Sequence, residues 1–395
     1  YLDRINVGFA ALQMQEKLHL NDTVYGLGAG MFFAGYFVFQ VPSNLILQKA
    51  GARRWISVIM VSWGVISSLM VLVSSPRSFY VLRFLLGVTE AGFFPGVILY
   101  LRNWFPAMAR ARTVARFMTA APLAGVVGGP ISGALLGLHG RGLAGWQWLF
   151  LMEGLPAILL GLMVSFILPD RPEEAAWLGQ AERTWLTENL AAEHRSHPAA
   201  HQQDALLAFA DWRVWVLSLV YFGLAMCSYG ISLWLPNLIR SLSGVSNLVI
   251  GLLSTIPYIA AAITMVLVGL HSDKTGERRW HTTLPAVTGG IAALVAAYST
   301  SLVPAITAIS VAVLGVYAMM GPFWAMPTSL LNKKTAAAGI ALINSIGNLG
   351  GFFGPYLIGR VRTSTGAFRG GLLIVAFMLA VTGSLALLIR DRRKC

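Results

Sequence analysis

The chain has 395 residues, of which 56% are hydrophobic and only 11% charged, with a formal net charge of +13. A soluble domain carries about 25% charged residues, and 41 glycines with 17 prolines suit membrane helices better than a soluble bundle. The basic residues sit in short loops rather than on one soluble face, which excludes a nucleic-acid partner and points to the positive-inside rule.

The chain opens at Tyr1 inside an apolar stretch. The natural N-terminus is therefore expected upstream, and with no cleavable leader visible the helices are expected to insert by themselves. Successive apolar runs predict twelve spans, at 1–18, 24–48, 54–74, 79–101, 112–138, 146–168, 212–239, 247–270, 282–300, 303–330, 335–359 and 368–389. Each is near the ~20 residues that cross a bilayer, or somewhat longer. The fold class is all-α and membrane-embedded, with twelve transmembrane helices in two six-helix halves.

A polar segment, 169–211, divides the spans six and six. The expected domains are an N-terminal bundle over 1–168, a cytoplasmic linker over 169–211, and a C-terminal bundle with a basic tail over 212–395. The linker begins Pro169-Asp170-Arg171-Pro172-Glu173-Glu174 and continues through Trp177, Leu178, Trp185 and Leu186. That pattern predicts a short amphipathic helix on the membrane surface. His194, His197 and His201 follow and read as a solvated linker rather than a metal site. The two cysteines, Cys227 in an apolar run and Cys395 in the charged tail, are not expected to pair.

Of the 29 Lys and Arg residues, twenty fall in loops 2–3, 4–5, 6–7, 8–9, 10–11 and the tail, and seven on the opposite side. This asymmetry puts both termini and the linker in the cytoplasm.

An internal repeat is visible. Gly51-Ala52-Arg53-Arg54-Trp55 in loop 2–3 returns as Gly276-Glu277-Arg278-Arg279-Trp280 in loop 8–9, 225 residues on. At the same offset Gly125 matches Gly350, and Gly129-Pro130 matches Gly354-Pro355, in spans 5 and 11. Parallel six-helix repeats place a substrate site near the bilayer midplane, between the halves.

With the repeat, the segment His271-Ser272-Asp273-Lys274-Thr275-Gly276-Glu277-Arg278-Arg279, after Gly269, resembles the loop signature of the major facilitator superfamily. The resemblance implies that Asp273, Arg278 and Arg279, with Arg53 and Arg54 of the N-terminal copy, latch the cytoplasmic side. The N-terminal copy lacks the acidic residue. A narrower resemblance covers nearly the whole chain. Tyr1-Leu2-Asp3-Arg4-Ile5-Asn6-Val7, Gly35-Tyr36 with Gln40-Val41-Pro42-Ser43-Asn44, and Leu82-Arg83-Phe84-Leu85-Leu86-Gly87-Val88-Thr89-Glu90-Ala91-Gly92-Phe93-Phe94-Pro95 are similar to the anion:cation symporter family. The Gly-Ala-Arg-Arg-Trp loop and the Pro-Asp-Arg-Pro-Glu end of span 6 most resemble its bacterial tartrate-type permeases. That resemblance implies a bacterial inner-membrane carrier.

An ionisable residue at membrane depth costs at least ~2.5–3.5 kcal/mol and needs a reason. Four stand out, Asp3, Arg4, Arg83 and Glu90, all in the N-terminal half; spans 7–12 hold no comparable charge. Arg83 and Glu90 are seven residues apart, which puts them on one helix face about 10 Å apart. An anionic substrate needs fixed positive charge, and the arginine fork suits a carboxylate and keeps its proton. Proton coupling needs carboxylates that respond to their surroundings. By resemblance, Asp3 and Glu90 are the protonation sites, Arg4 and Arg83 the anion-binding and switching arginines, and Tyr36 a substrate contact. Tyr1 is a weaker candidate for the same role. Tyr229, Trp324, Asn344 and Asn348 are candidates from the C-terminal half, the two asparagines sharing a face. Gly125, Gly128, Gly129 and Pro130, with Gly350, Gly351, Gly354 and Pro355, are expected to let spans 5 and 11 approach their partners and bend.

The expectation is a proton-coupled carrier taking up a small organic anion by alternating access. The anion would be a tartrate-like hydroxy or sugar acid or an aromatic carboxylate. Sodium in place of protons, exchange of one anion for another, and proton-coupled export of drugs or metabolites on the same fold are the rivals. The residues show no metal-ligand cluster or nucleophile triad, so neither a cofactor nor an enzyme is expected. A monomer in the lipid bilayer is expected.

Overall fold

The computed structural model describes residues 1–140, 142–196, 207–331 and 335–389. It contains twelve spanning helices: span 1, Leu2–Lys17; span 2, Asp22–Ala50; span 3, Ala52–Leu69, extended by a 3-10 turn to Leu72; span 4, Pro76–Glu90 and Phe93–Trp104; span 5, Ala107–Met118 and Ala120–Leu135; span 6, Gly145–Ile167. The second half repeats the plan: span 7, Trp212–Leu242; span 8, Asn247–Thr275; span 9, Arg279–Tyr298; span 10, Leu302–Ala318 and Met320–Leu330; span 11, Ala336–Asn348 and Gly350–Thr365; span 12, Arg369–Leu388. Among the described residues, nine of these are long and apolar enough to cross a bilayer by themselves. The other three are spans 1, 9 and 11, whose sequences are short, rich in Thr and Gly, or interrupted.

The four broken spans, 4, 5, 10 and 11, are two repeat-related pairs. Three breaks have one cause. Proline cannot donate to the carbonyl four residues earlier. Pro95 leaves Ala91 unserved, Pro122 leaves Met118 unserved, and Pro322 leaves Ala318 unserved, and each break falls at or just after that carbonyl. Span 11 breaks at Leu349, between the Asn348 end and Gly350-Gly351.

Helices run further than the hydrophobic pattern suggests. Span 4 continues to Trp104 and span 5 starts at Ala107, so Arg102 and Arg110 lie in helices rather than in a loop. Asp273 and Lys274 close span 8, and Arg360 and Arg362 lie inside span 11, again not in loops. The polar segment folds as a 3-10 turn at Pro172–Glu174 and a helix, Gln180–Ser196. Trp177, just before that helix, stacks on Trp104 at 5.6 Å. His197, His201, the His194 side chain, Lys333, Lys334 and the basic tail with Cys395 lie outside the described residues.

The halves meet along spans 1 and 7, 2 and 11, and 5 and 8. Glycines make the last two possible. A Cβ on Gly129 would lie 2.5 Å from the Gly251 carbonyl oxygen, and one on Gly133 would lie 2.7 Å from that of Asn247. Gly26 stands equally close to the Pro355 carbonyl, and Gly30 to that of Phe352. At the 225-residue offset Gly26 becomes Gly251, and Gly129-Pro130 becomes Gly354-Pro355. The two interfaces are therefore repeat images of each other.

One end of the bundle is sealed across the halves. Arg362 pairs with Asp22 at 2.9 Å. Thr23 donates to Thr363 Oγ1 from both its backbone N–H, at 2.9 Å, and its hydroxyl, at 2.8 Å. Arg240 donates to the Leu12 carbonyl at 3.1 Å, and Asn237 to Gln15 at 3.2 Å. This end carries loops 1–2, 7–8 and 11–12, opposite the Arg-rich loops 2–3 and 8–9.

Candidate functional site

Span 1 lays its buried face against spans 7, 6 and 5. Successive helix residues point about 100° apart, so Asp3 and Arg4, adjacent in sequence, part company. Arg4 turns toward the second half. Its Nη2 lies 2.5 Å from Glu90 Oε1, its Nε donates to the same oxygen at 2.6 Å, and its Nη1 donates to the Tyr229 hydroxyl at 3.1 Å. The rings of Tyr1, Phe32 and Tyr36 surround the guanidinium at 5.2, 5.3 and 5.3 Å, close enough for cation–π attraction. Tyr229 is held in turn by Phe33, ring to ring at 4.4 Å. This box joins span 1, span 2, span 4 and span 7, two halves at one cation. Glu90 is the last residue before the break in span 4.

Asp3 turns the other way and accepts the Ser67 hydroxyl of span 3 at 2.6 Å. It does not share Arg4's surroundings, although the two residues are adjacent in sequence.

Arg83 is fully buried. It lies over the Phe32 ring at 5.3 Å and donates to the carbonyls of Asp3, at 3.4 Å, and Ala29, at 3.2 Å. Gly87, one turn on, lets span 4 touch the span 2 backbone at Phe32. Phe32 thus separates two arginines: Arg4 faces the junction of the halves, and Arg83 is enclosed among spans 1, 2 and 4. Arg83 shares a helix face with Glu90, yet Glu90 is taken by Arg4.

In the second half, Trp324 packs on Tyr221, at 4.9 Å, and on Phe323, at 5.3 Å. Asn348 donates to the Asn344 backbone and side-chain oxygens at 2.8 and 3.1 Å. One turn away, Ser345 donates to Gln40 of span 2 at 3.1 Å. The structure therefore gathers Arg4, Glu90, Tyr36 and Tyr229, and keeps Arg83, Trp324 and the asparagine pair in other packing environments.

The charged loops are capping devices. In loop 8–9 Arg278 bridges Asp273 at 2.7 Å and donates to Ser272 Oγ at 2.8 Å, while Arg279 donates to the Leu387 carbonyl. Gly276 ends span 8 in the left-handed region, φ 68°, where glycine is free of the Cβ penalty. Glu277 accepts the backbone N–H groups of Trp280 and His281 at 2.8 and 3.2 Å. Partial burial opposes its ionisation, but these hydrogen bonds and His281 outweigh that and hold its carboxyl below the usual range. In the N-terminal copy Asp170, arriving from the end of span 6, accepts the Arg53 N–H at 2.9 Å, while Arg54 is exposed. Asp170 thus caps the start of span 3 through a backbone N–H, much as Glu277 caps the start of span 9.

Sequence reasoning missed Glu153 in span 6, a fifth buried membrane charge, together with its neighbour Asn6. The signal was present: Glu153 interrupts the apolar run of span 6 as plainly as Glu90 interrupts span 4.

A family model described as Major Facilitator Superfamily matches residues 1–355. The chain belongs to that superfamily. A "Putative tartrate transporter" of Agrobacterium vitis is 50% identical over 390 residues, 98% of this chain and 90% of its own length. A "Quinolone resistance transporter" of Acinetobacter baumannii is 41% identical over 380 residues, 96% of this chain and 88% of its own. Among solved structures, a bacterial homolog of the human lysosomal transporter Spinster superposes with TM-score 0.80 at 18% identity, over 98% of this chain and 93% of that one. The fold expected from the repeat is the fold found, and the chain is a multi-pass membrane transporter, not an enzyme.

Proposed function

We propose that this transporter takes up a small organic anion with protons, by alternating access. The observation that carries the reading is Arg4, whose fork stands where the two halves meet and is occupied by Glu90. A carboxylate substrate and the Glu90 carboxylate compete for one guanidinium. Protonation of Glu90 weakens its hold and frees the fork for a bidentate contact with substrate. Anion and proton then favour each other's binding, which is what symport requires. The hydroxyls of Tyr36, Tyr229 and Tyr1 stand by to bind hydroxyl or carbonyl groups of a tartrate-like hydroxy acid, sugar acid or aromatic carboxylate. The tartrate-named relative at 50% identity supports that class.

The two glycine-lined interfaces, spans 2 with 11 and 5 with 8, suit rocking of one bundle on the other. The units are 1–168 and 212–395, joined by 169–211. On the basic-loop asymmetry both termini face the cytoplasm, and the resemblance to bacterial tartrate-type permeases implies an inner membrane. The end sealed by Asp22 and Arg362 is then the outer one. One chain holds the whole site, consistent with a monomer.

A second reading is export, favoured by the quinolone-named relative at 41% identity. A drug that itself carries a carboxylate would satisfy Arg4 equally well. The deciding experiment is uptake of labelled tartrates, sugar acids, phthalate and hydroxyphenylacetate into proteoliposomes under an imposed pH gradient. Accumulation of one acid that collapses with a protonophore is expected. Accumulation driven by sodium alone, or counterflow with no response to any gradient, would overturn proton symport.

A further inference from the structure

Glu153 lies outside the Arg4 box and has no role in the reading above. It is 7% exposed, on span 6. Its Oε1 accepts the Ser132 hydroxyl of span 5 at 2.7 Å, while its Oε2 is buried and makes no well-formed hydrogen bond. Span 1 faces it with Asn6, 1% exposed, whose amide nitrogen and oxygen are both unpartnered. Asn6 follows Asp3 by three residues, hence shares its helix face; the charged groups that act on Glu153 are Asp3 and the amino group at Tyr1, which is a peptide nitrogen wherever the chain continues upstream. Span 3 packs on span 6 where Gly154 meets Gly64 and Ser68. It brings Ser67, already bonded to Asp3; its arginines, Arg53 and Arg54, lie at least ten residues earlier, about 15 Å or more along the helix. Among the described residues no cation pairs with Glu153: Arg4 is engaged by Glu90, and Arg83 by backbone carbonyls.

Two buried carboxyls that act on each other, with no lysine or arginine side chain paired to Glu153, make a site that disfavours two negative charges at once. An unpaired buried carboxylate costs several kcal/mol, and two that share a site retain a proton between them. Asn6 is matched to that condition. Its N–H2 can donate to whichever carboxylate is ionised, and its oxygen can accept from the carboxyl that keeps the proton. Asn6 already stands close enough to lower the cost of charge on Glu153, though neither of its amide atoms makes a well-formed hydrogen bond.

We propose that Glu153 is a proton-binding residue of the transport cycle, linked through Asn6 to Asp3, so that the N-terminal bundle carries an acid pair separate from the Arg4–Glu90 site. The step is simple protonation: a proton from water forms an O–H bond at Glu153 Oε2, and its loss restores the carboxylate. The proposal rests on proton-coupled transport for its role in the cycle, but not for the protonation itself.

The test has two parts. Infrared difference spectra of the purified protein in lipid, across a pH titration, report protonated buried carboxyls directly. A carboxylic C=O band at neutral pH that is missing in Glu153→Gln is expected; an identical band in the variant and the wild type overturns the proposal. Uptake into proteoliposomes as a function of pH then tests the role. Glu153→Gln, shown to be folded by its melting temperature, is expected to shift the pH midpoint of gradient-driven uptake by a unit or more, about ten-fold in proton concentration. An unshifted midpoint overturns the role. Should Glu153→Gln not fold, Asn6→Ser leaves the carboxyl in place and cuts its link to Asp3; the same shift is expected and the same constancy overturns it. A wild type that shows the infrared band but no proton-driven uptake sinks the symport reading instead, and with it the role in the cycle.

Discussion

Arg4 and Tyr229 occupy the same position in the two repeats, 225 residues apart, and their side chains meet, Nη1 to hydroxyl, at 3.1 Å. A pseudo-twofold axis brings equivalent residues together only beside the axis itself. The pair therefore marks the centre of the molecule, and the repeat has diverged there into a cation on one side and a neutral hydroxyl on the other. The asymmetry puts the charge chemistry in the first half and leaves the second to shape and hydrogen bonding.

Removing the hydroxyl with Tyr229→Phe keeps the ring on Phe33 and cuts the bond between halves. A hydrogen bond to a charged group contributes about 1.5–3 kcal/mol. Without it the state with the Asp22–Arg362 end closed is expected to lose about ten-fold or more in population relative to the opposite state. Reactivity of a single cysteine placed at that end, without substrate, reads the change. Unaltered reactivity would mean the bond is no clamp.

Arg83→Lys tests the enclosed arginine. Lysine keeps the charge and can reach one carbonyl, but it loses the flat face over Phe32 and the second carbonyl. The maximal uptake rate is expected to fall about ten-fold or more, a barrier change of roughly 1.4 kcal/mol or above, with the protein still folded. Because Phe32 stands between Arg83 and the Arg4 box, apparent substrate affinity is expected to change far less than rate. A large loss of affinity with the rate intact would place Arg83 in contact with substrate instead.

The fold was legible in the sequence because each span needs ~20 apolar residues and the repeat left Gly-Ala-Arg-Arg-Trp and Gly-Pro at one offset. Individual charges were legible because any ionisable residue in such a run stands out. Their pairing was not. Seven-residue spacing put Arg83 and Glu90 on one face, but the partner of Glu90 comes from span 1, set by helix packing that spacing does not encode. Asp170 shows the same limit: the acid that caps the helix after the first loop lies more than one hundred residues from it in sequence, so proximity along the chain could not reveal it.

Glu277 gives a pH-dependent prediction. Its carboxyl is held below the usual range, about 4.3, by the span 9 N–H groups and His281. A lowered value means that its contribution to stability is present above that usual value and is lost as pH falls through the lower one. Glu277→Gln is expected to lower the melting temperature at pH 7, while the difference from wild type shrinks below about pH 4. A difference that stays constant with pH would show that shape, not charge, holds the loop.

The last prediction concerns coupling. Glu90 and substrate are proposed to share the Arg4 fork, with protonation deciding between them. Glu90→Gln fixes the neutral state: the amide cannot pair with Arg4 as a carboxylate does, so the fork stays open to an anion. The variant is expected to bind substrate and to exchange labelled for unlabelled substrate by counterflow. It is expected to fail at accumulation when only a pH gradient is supplied, because the gradient no longer has this group to act on. Asp3→Asn is expected to behave differently, since Asp3 points to Ser67 and away from Arg4. Counterflow should survive, and accumulation should weaken without disappearing while Glu90 remains. Proteoliposomes assayed with and without the gradient, for both variants side by side, distinguish the outcomes. Full gradient-driven accumulation by Glu90→Gln would remove Glu90 from coupling and leave the buried acids of the N-terminal bundle to carry the proton.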